Sequence, residues 1–72
     1  MTEVLVFKTS VSRPSEVGRL SSLLNALIHP LGRWNFDLED RDNILRVEAS
    51  GLPPEAVCEA LLRHGHRCVE LH

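Results

Sequence analysis

A chain of 72 residues with 43% hydrophobic content is long enough for one globular domain, residues 1–72, and too short for two. Its 8 basic and 10 acidic residues give a net charge of −2, without the basic surplus of a nucleic-acid-binding protein, so nucleic acid is not an expected partner. No apolar run approaches the ~20 residues that cross a bilayer, and the N-terminus lacks a signal-peptide pattern, so we expect a cytoplasmic protein without a membrane partner.

The first part of the chain predicts a strand followed by a long helix. Residues 4–11 are rich in β-branched and aromatic side chains, which favours a strand with two alternating sets. The core set is Leu5, Phe7 and Thr9, and the outward set is Val4, Val6 and Lys8. Residues 12–16 have the features of a helix start, with Pro14 in the first turn and Glu16 near the positive end of the helix dipole. Apolar residues then recur at three- and four-residue steps as far as Ile28, and Pro30 and Gly32 end the helix.

The second part predicts a hairpin, a short helix and a last strand. Residues 34–38 and 44–49 alternate apolar and polar side chains, and the polar turn 40–43 joins them into an antiparallel pair. The breaker segment 50–54 leads into a helix over residues 55–64, and Gly65 stands where a left-handed cap belongs. The apolar face of this helix is Val57, Cys58, Leu61 and Leu62. Residues 67–71 form the last strand.

The order strand, helix, strand, strand, helix, strand is typical of a split βαβ, or ferredoxin-like, α+β sandwich. Right-handed crossovers place both helices on one face of a four-stranded antiparallel sheet, and the other face meets solvent or a partner. We expect this open face to be mostly polar with a small apolar pair. It carries Val4, Val6, Lys8, Asn35, Asp37, Arg46 and Glu48.

Three segments resemble the heavy-metal-associated domain of copper chaperones and metal-pumping ATPases. They are the helix run 17–27 (VGRLSSLLNAL), the hairpin 34–47 and the helix end 61–65. The resemblance covers nearly the whole chain and rests on hydrophobic spacing and the glycine near the helix end. It implies the ferredoxin-like fold, with the Trp34 strand and the Arg67 strand at the edges of the sheet.

The metal motif of that family has no counterpart in this chain. The family holds a soft metal ion with a Cys-x-x-Cys pair where the first strand meets the first helix, because thiolates suit soft ions. Counting back from Val17, the two cysteine positions fall on Arg13 and Glu16, and no cysteine precedes Cys58. The permanent charge of Arg13 would repel a metal ion, and Arg13 and Glu16 could form an exposed ion pair of small value. We therefore predict no metal and no cofactor at these positions.

The C-terminal segment holds the remaining side chains that suit a metal. Cys58, His64, His66, Cys68 and His72 include imidazoles and thiols, which are good zinc ligands. Their spacing matches no standard zinc motif, and the histidines flank a helix end, where cations are favoured. We favour a structural interpretation and keep zinc or copper binding through Cys58, His64, His66 and Cys68 as the alternative. Two cysteines do not make a disulfide framework, but a bridge between Cys58 and Cys68 is possible because a helix and the following strand can lie side by side.

Three further features have plain structural interpretations. The acidic side chains of Asp37, Glu39, Asp40 and Asp42 lack EF-hand spacing, so an exposed turn is favoured over a calcium site. Trp34 is in register with Phe36, so core packing is favoured over a binding hot spot. No serine or histidine belongs to a recognisable nucleophile–base arrangement, so we predict that the protein is not an enzyme.

Two functions from different classes remain. The first is an interaction module that binds an unknown protein or associates with itself, since edge strands can pair with another chain. Its candidate interface is Val4, Val6, Trp34 and Arg67. The second is metal binding or buffering through the C-terminal cysteines and histidines. A small-molecule regulatory domain is a weaker third option, because ligand-binding ACT domains share this element order but no glycine-rich ligand loop is present. We adopt the first as the working hypothesis.

Overall fold

A computed structural model describes residues 2–72. The elements follow the predicted order: β1 (Glu3–Thr9), α1 (Pro14–Ile28), β2 (Gly32–Asp37), β3 (Ile44–Ala49), α2 (Pro54–Arg63) and β4 (Cys68–Leu71). The strands form one antiparallel sheet in the order β2-β3-β1-β4. The predicted ferredoxin-like α+β fold is confirmed, and β2 and β4 are the outer strands.

The predicted bounds of β3, 44–49, and the predicted end of β4 are confirmed, and several other boundaries differ by one or two residues. β1 ends at Thr9, because the N–H of Val11 turns to the Thr9 hydroxyl oxygen at 3.1 Å. β2 begins two residues earlier than predicted, since Gly32 already pairs with Ala49 of β3. α2 begins at Pro54, because proline fits the first helical position. The other shifted boundaries are Glu3, Asp37, Arg63 and Cys68.

One apolar core lies between the two helices and one face of the sheet. Phe7 of β1 stands opposite Leu45 of β3, and both side chains are fully buried. α1 buries Leu24 and α2 buries Leu61 in the same cluster, so both helices cover the same face. The remaining buried residues are Thr9, Val11, Leu20, Ile28, Val47, Ala49, Leu52 and Val57. No helix within residues 2–72 is long and apolar enough to span a membrane.

The predicted apolar face of α2 is wrong at Leu62. Val57 and Leu61 are fully buried, but Leu62 is 66% exposed. Successive helical side chains are rotated by about 100° around the helix axis, so Leu62 points away from the buried face that Val57 and Leu61 share. The prediction of a left-handed cap is confirmed, because Gly65 has φ 81° and its N–H donates to the Leu62 carbonyl oxygen at 3.0 Å.

Candidate functional site

Arg13 and Glu16, on which the resemblance predicted the metal-pair positions to fall, lie at the N-terminus of α1. The backbone N–H groups of Ser12 and Arg13 both donate to Glu16 Oε1 at 3.0 Å. Glu16 is the third residue of the helix, so its carboxylate satisfies N–H groups just outside the helix, as in one half of a capping box. The hydrogen bond from Ser12, followed by that from Arg13, holds the pKa of Glu16 below its usual value. The carboxylate is therefore engaged by the backbone at the helix start.

Hydrogen bonds of Ser10 connect the loop before α1 to the loop before β4, where His66 lies. The N–H of Ser10 donates to the Arg67 carbonyl oxygen at 3.1 Å, and the N–H of Arg67 donates to Ser10 Oγ at 2.8 Å. His66 Nδ1 lies 3.4 Å from the same Oγ, and its Nε2 lies 3.9 Å from Glu16 Oε2. The imidazole forms an ion pair with Glu16 when it is protonated. This contact joins residues about fifty positions apart, so sequence reasoning had no signal for it.

The four residues of the alternative metal site divide into separate groups. Cys58 and Cys68 line the same groove, and their thiols are close enough to interact. His64 Nδ1 faces the Ala60 carbonyl oxygen at 3.0 Å, and His66 lies beside Ser10. Within residues 2–72, no three histidine, cysteine or acidic side chains are grouped closely enough to hold a metal ion. The structure therefore brings together two of the four residues, the cysteines.

The acidic hairpin turn is held by its own backbone. Asp37 Oδ1 accepts the N–H of Glu39 at 3.2 Å, and Asp40 Oδ1 accepts the N–H of Asp42 at 2.8 Å. Lys8 Nζ lies 3.6 Å from Asp42 Oδ1. These contacts are typical of turns in which a short acidic side chain replaces a backbone acceptor.

Trp34 lies on the helix-covered side of β2, and Arg67 lies just before β4. The indole Nε1 of Trp34 donates to Asn25 Oδ1 of α1 at 2.8 Å, and its ring meets Phe36 edge to face with centroids 5.8 Å apart. Trp34 is half-buried and packs against the core. Arg67 is exposed. An interface role for either residue stays a prediction.

The open face of the sheet is charged on the β2 side. Arg33, Asn35 and Asp37 of β2 are exposed on this face. The guanidinium of Arg33 binds Glu48 of β3 at 2.9 Å. This half therefore agrees with the predicted polar character.

The open face carries mostly apolar side chains on the other side, where β1 pairs with β4, with Lys8 as the one cation among them. The register places Val6 opposite Leu71 and Lys8 opposite Val69. Val4, on the same face of β1, is 60% exposed, Val69 is 60% exposed and Leu71 is 41% exposed. We name Val4, Val6, Val69 and Leu71 the apolar stripe. Sequence reasoning found its β1 residues and missed its β4 residues.

No protein-family model, no curated protein and no solved structure matches this chain. The resemblance to the heavy-metal-associated domain therefore stays a prediction that rests on hydrophobic spacing and Gly65.

Proposed function

We propose that this protein is an interaction module on a heavy-metal-associated-like fold without the family's cysteine pair. It binds another protein chain through the apolar stripe and the outer edge of β4. The single observation that supports this proposal is the continuity of the stripe. Directly opposite side chains of an antiparallel pair have Cβ atoms about 4.5–5.5 Å apart, so Val6 and Leu71 are neighbours across the strands, with Val4 and Val69 at either end.

The two outer strands differ in a way that selects β4 as the docking edge. Natural edge strands discourage pairing with charged side chains. β2 presents Arg33 and Asp37 on the open face, whereas β4 presents Val69 and Leu71 there. A strand added beside β4 would continue the sheet through backbone hydrogen bonds, and its apolar residues would cover the stripe.

The size of the stripe sets the strength of binding to expect. Complete burial of one valine or leucine side chain contributes about 1.5–3 kcal/mol. Because Val4, Val69 and Leu71 expose roughly half of their surface, covering them contributes on the order of 3–4 kcal/mol in total. A micromolar complex needs about 8 kcal/mol, so hydrogen bonds along β4 must supply a comparable share.

A cytoplasmic location is part of this proposal. The thiols of Cys58 and Cys68 are free, as expected of a protein in a reducing compartment. The alternative, metal binding through the C-terminal cysteines and histidines, is tested on the same material by elemental analysis of protein purified without chelator.

The proposal is tested with one charged substitution on each half of the open face. Val69→Lys places a cation in the stripe, and the control Asn35→Lys places the same cation on the β2 half. Association is measured by light scattering over a range of concentrations and by affinity capture with identification of the captured chain, after circular dichroism shows that both variants are folded. We expect the wild type and Asn35→Lys to associate and Val69→Lys to lose association. A wild type that stays monomeric and captures no partner, or equal binding by the two variants, would contradict the proposal.

A further inference from the structure

Cys58 and Cys68 form a dithiol on the helix-covered side of the sheet. Cys58 projects from α2, and Cys68 begins β4 opposite the buried Thr9 of β1. Both side chains are half-buried and pack against the core, and the two thiols are close enough to interact. They also line a groove of about 530 Å³ between α2 and β4, which gives a small molecule access to the sulfur atoms.

We propose that Cys58 and Cys68 are a redox modification site, at which a small-molecule disulfide converts the dithiol into an intramolecular disulfide between α2 and β4. The supporting geometry is a pair of neighbouring free thiols that line one open groove. This inference rests on the two thiols and does not need the proposed function, although Val69 of the apolar stripe also lines the groove.

The reaction proceeds by two thiol–disulfide exchanges. The sulfur of Cys58, as thiolate, attacks one sulfur of the small disulfide, so that a mixed disulfide forms and one small thiolate leaves and takes a proton. The Cys68 thiol then releases its proton to water and attacks Cys58 Sγ, which forms the Cys58–Cys68 bond and expels the second small thiol. The two cysteines lose two electrons, and the small disulfide is reduced to two thiols.

The order of attack follows from the surroundings of Cys68. Burial and the neighbouring Cys58 sulfur raise the pKa of the Cys68 thiol, so Cys68 keeps its proton and Cys58 attacks first. Once Cys58 is part of a mixed disulfide, its sulfur no longer carries a charge that opposes ionisation of Cys68. The Cys68 thiol therefore ionises more readily in the second step, although its burial still opposes ionisation.

The charges around the groove define the class of disulfide that it accepts. Glu55, Glu59 and Glu70 line the groove together with one cation, Arg67. Arg63, outside the groove, lies 3.8 Å from Glu59. The lining carries an excess of negative charge, which attracts cationic molecules and repels anionic ones. We therefore expect cystamine, which is cationic, to react faster than the neutral hydroxyethyl disulfide, and glutathione disulfide, which is anionic, to react slowest.

The test treats the reduced full chain with each of these three disulfides. We expect a folded monomer whose mass is lower by two hydrogens and in which peptide mapping shows a Cys58–Cys68 bond. The rate should fall several-fold from cystamine to glutathione disulfide, and added salt should reduce this difference. Intermolecular disulfides or a stable mixed disulfide as the final product of the wild type would overturn the proposal.

Single-cysteine variants test the order of attack. Cys68→Ser should stop at a mixed disulfide on Cys58, because the resolving thiol is missing. Cys58→Ser should react more slowly than Cys68→Ser, because the remaining thiol, Cys68, has a pKa that is raised by burial. Equal rates for the two variants would contradict the assigned order. If a variant fails to fold, peptide mapping of the partially oxidised wild type gives the same information, since the mixed disulfide should be found on Cys58.

Discussion

The pairing of β2 with β3 is tested by the same substitution at two glycines. Gly32 stands opposite Ala49 in the sheet. A Cβ on Gly32 would collide with the Glu48 carbonyl oxygen and would lie 2.5 Å from the Ala49 Cα, and both are backbone atoms that cannot rotate away. A Cβ on Gly18, inside α1, would have no neighbour within 4 Å. Alanine is therefore excluded by space at one position and accommodated at the other.

The two substitutions should change stability in opposite directions. Overpacking costs about 1–3 kcal/mol, and separation of the first β2–β3 pair loses about 1 kcal/mol per hydrogen bond, so Gly32→Ala should lower the free energy of unfolding by roughly 2–4 kcal/mol. Gly18→Ala should raise it by about 0.5–1 kcal/mol, because alanine loses less conformational entropy in a helix. In a domain of this size 1 kcal/mol shifts Tm by about 4–8 °C.

Unfolding by heat and by urea is followed by far-ultraviolet circular dichroism. This signal does not depend on Trp34, which lies in the same strand as Gly32. Gly32→Ala should unfold at least 8 °C or so below the wild type, and Gly18→Ala should unfold above it. If Gly32→Ala were as stable as Gly18→Ala, Gly32 would not pair with Ala49 in this register, and the start of β2 would have to be reassigned.

Three further substitutions, one of them a control, test the core and the start of α1. Leu24→Ala removes a fully buried side chain and should lower the free energy of unfolding in urea by about 2–5 kcal/mol. The control Leu31→Ala, at a residue 50% exposed, should lower it by under about 1 kcal/mol. Similar losses for the two variants would contradict the assigned core. Glu16 has a lowered pKa in the folded state, so its stabilisation is present above the unfolded value of about 4.5 and is lost as pH falls through the folded pKa. Glu16→Gln should therefore destabilise the protein near pH 7 and have little effect near pH 3 in urea titrations, and an equal effect at both would contradict the backbone contacts of this carboxylate.

The fold could be predicted because its local signals agree with one another. Three features follow from neighbouring residues: the apolar face of α1, the alternation of β2 and β3, and the cap at Gly65. The structure has all of them. Leu62 was misplaced because a run of two leucines does not show which one faces the sheet.

The candidate site could be predicted only in part because its geometry depends on distant contacts. In the run Cys68 to Leu71, hydrophobicity alone favours Val69 and Leu71 as core residues. The structure turns both outward, since β4 is aligned on β1 by hydrogen bonds between Ser10 and Arg67, which are 57 positions apart. The contact of Cys58 with Cys68 was foreseen as a possibility, but only the packing of α2 beside β4 brings the thiols together.

Amide hydrogen exchange at β4 tests the central claim, that a partner chain pairs with this strand, most directly. The carbonyl and N–H of Arg67 both face β1, so the N–H groups of Cys68 and Glu70 point away from the sheet. In the associated form, compared with the isolated monomer, these two amides should exchange at least about tenfold more slowly, while the outer amides of β2 are unchanged. Protection confined to β2, or unchanged exchange at Cys68 and Glu70 in a complex that forms, would contradict the claim.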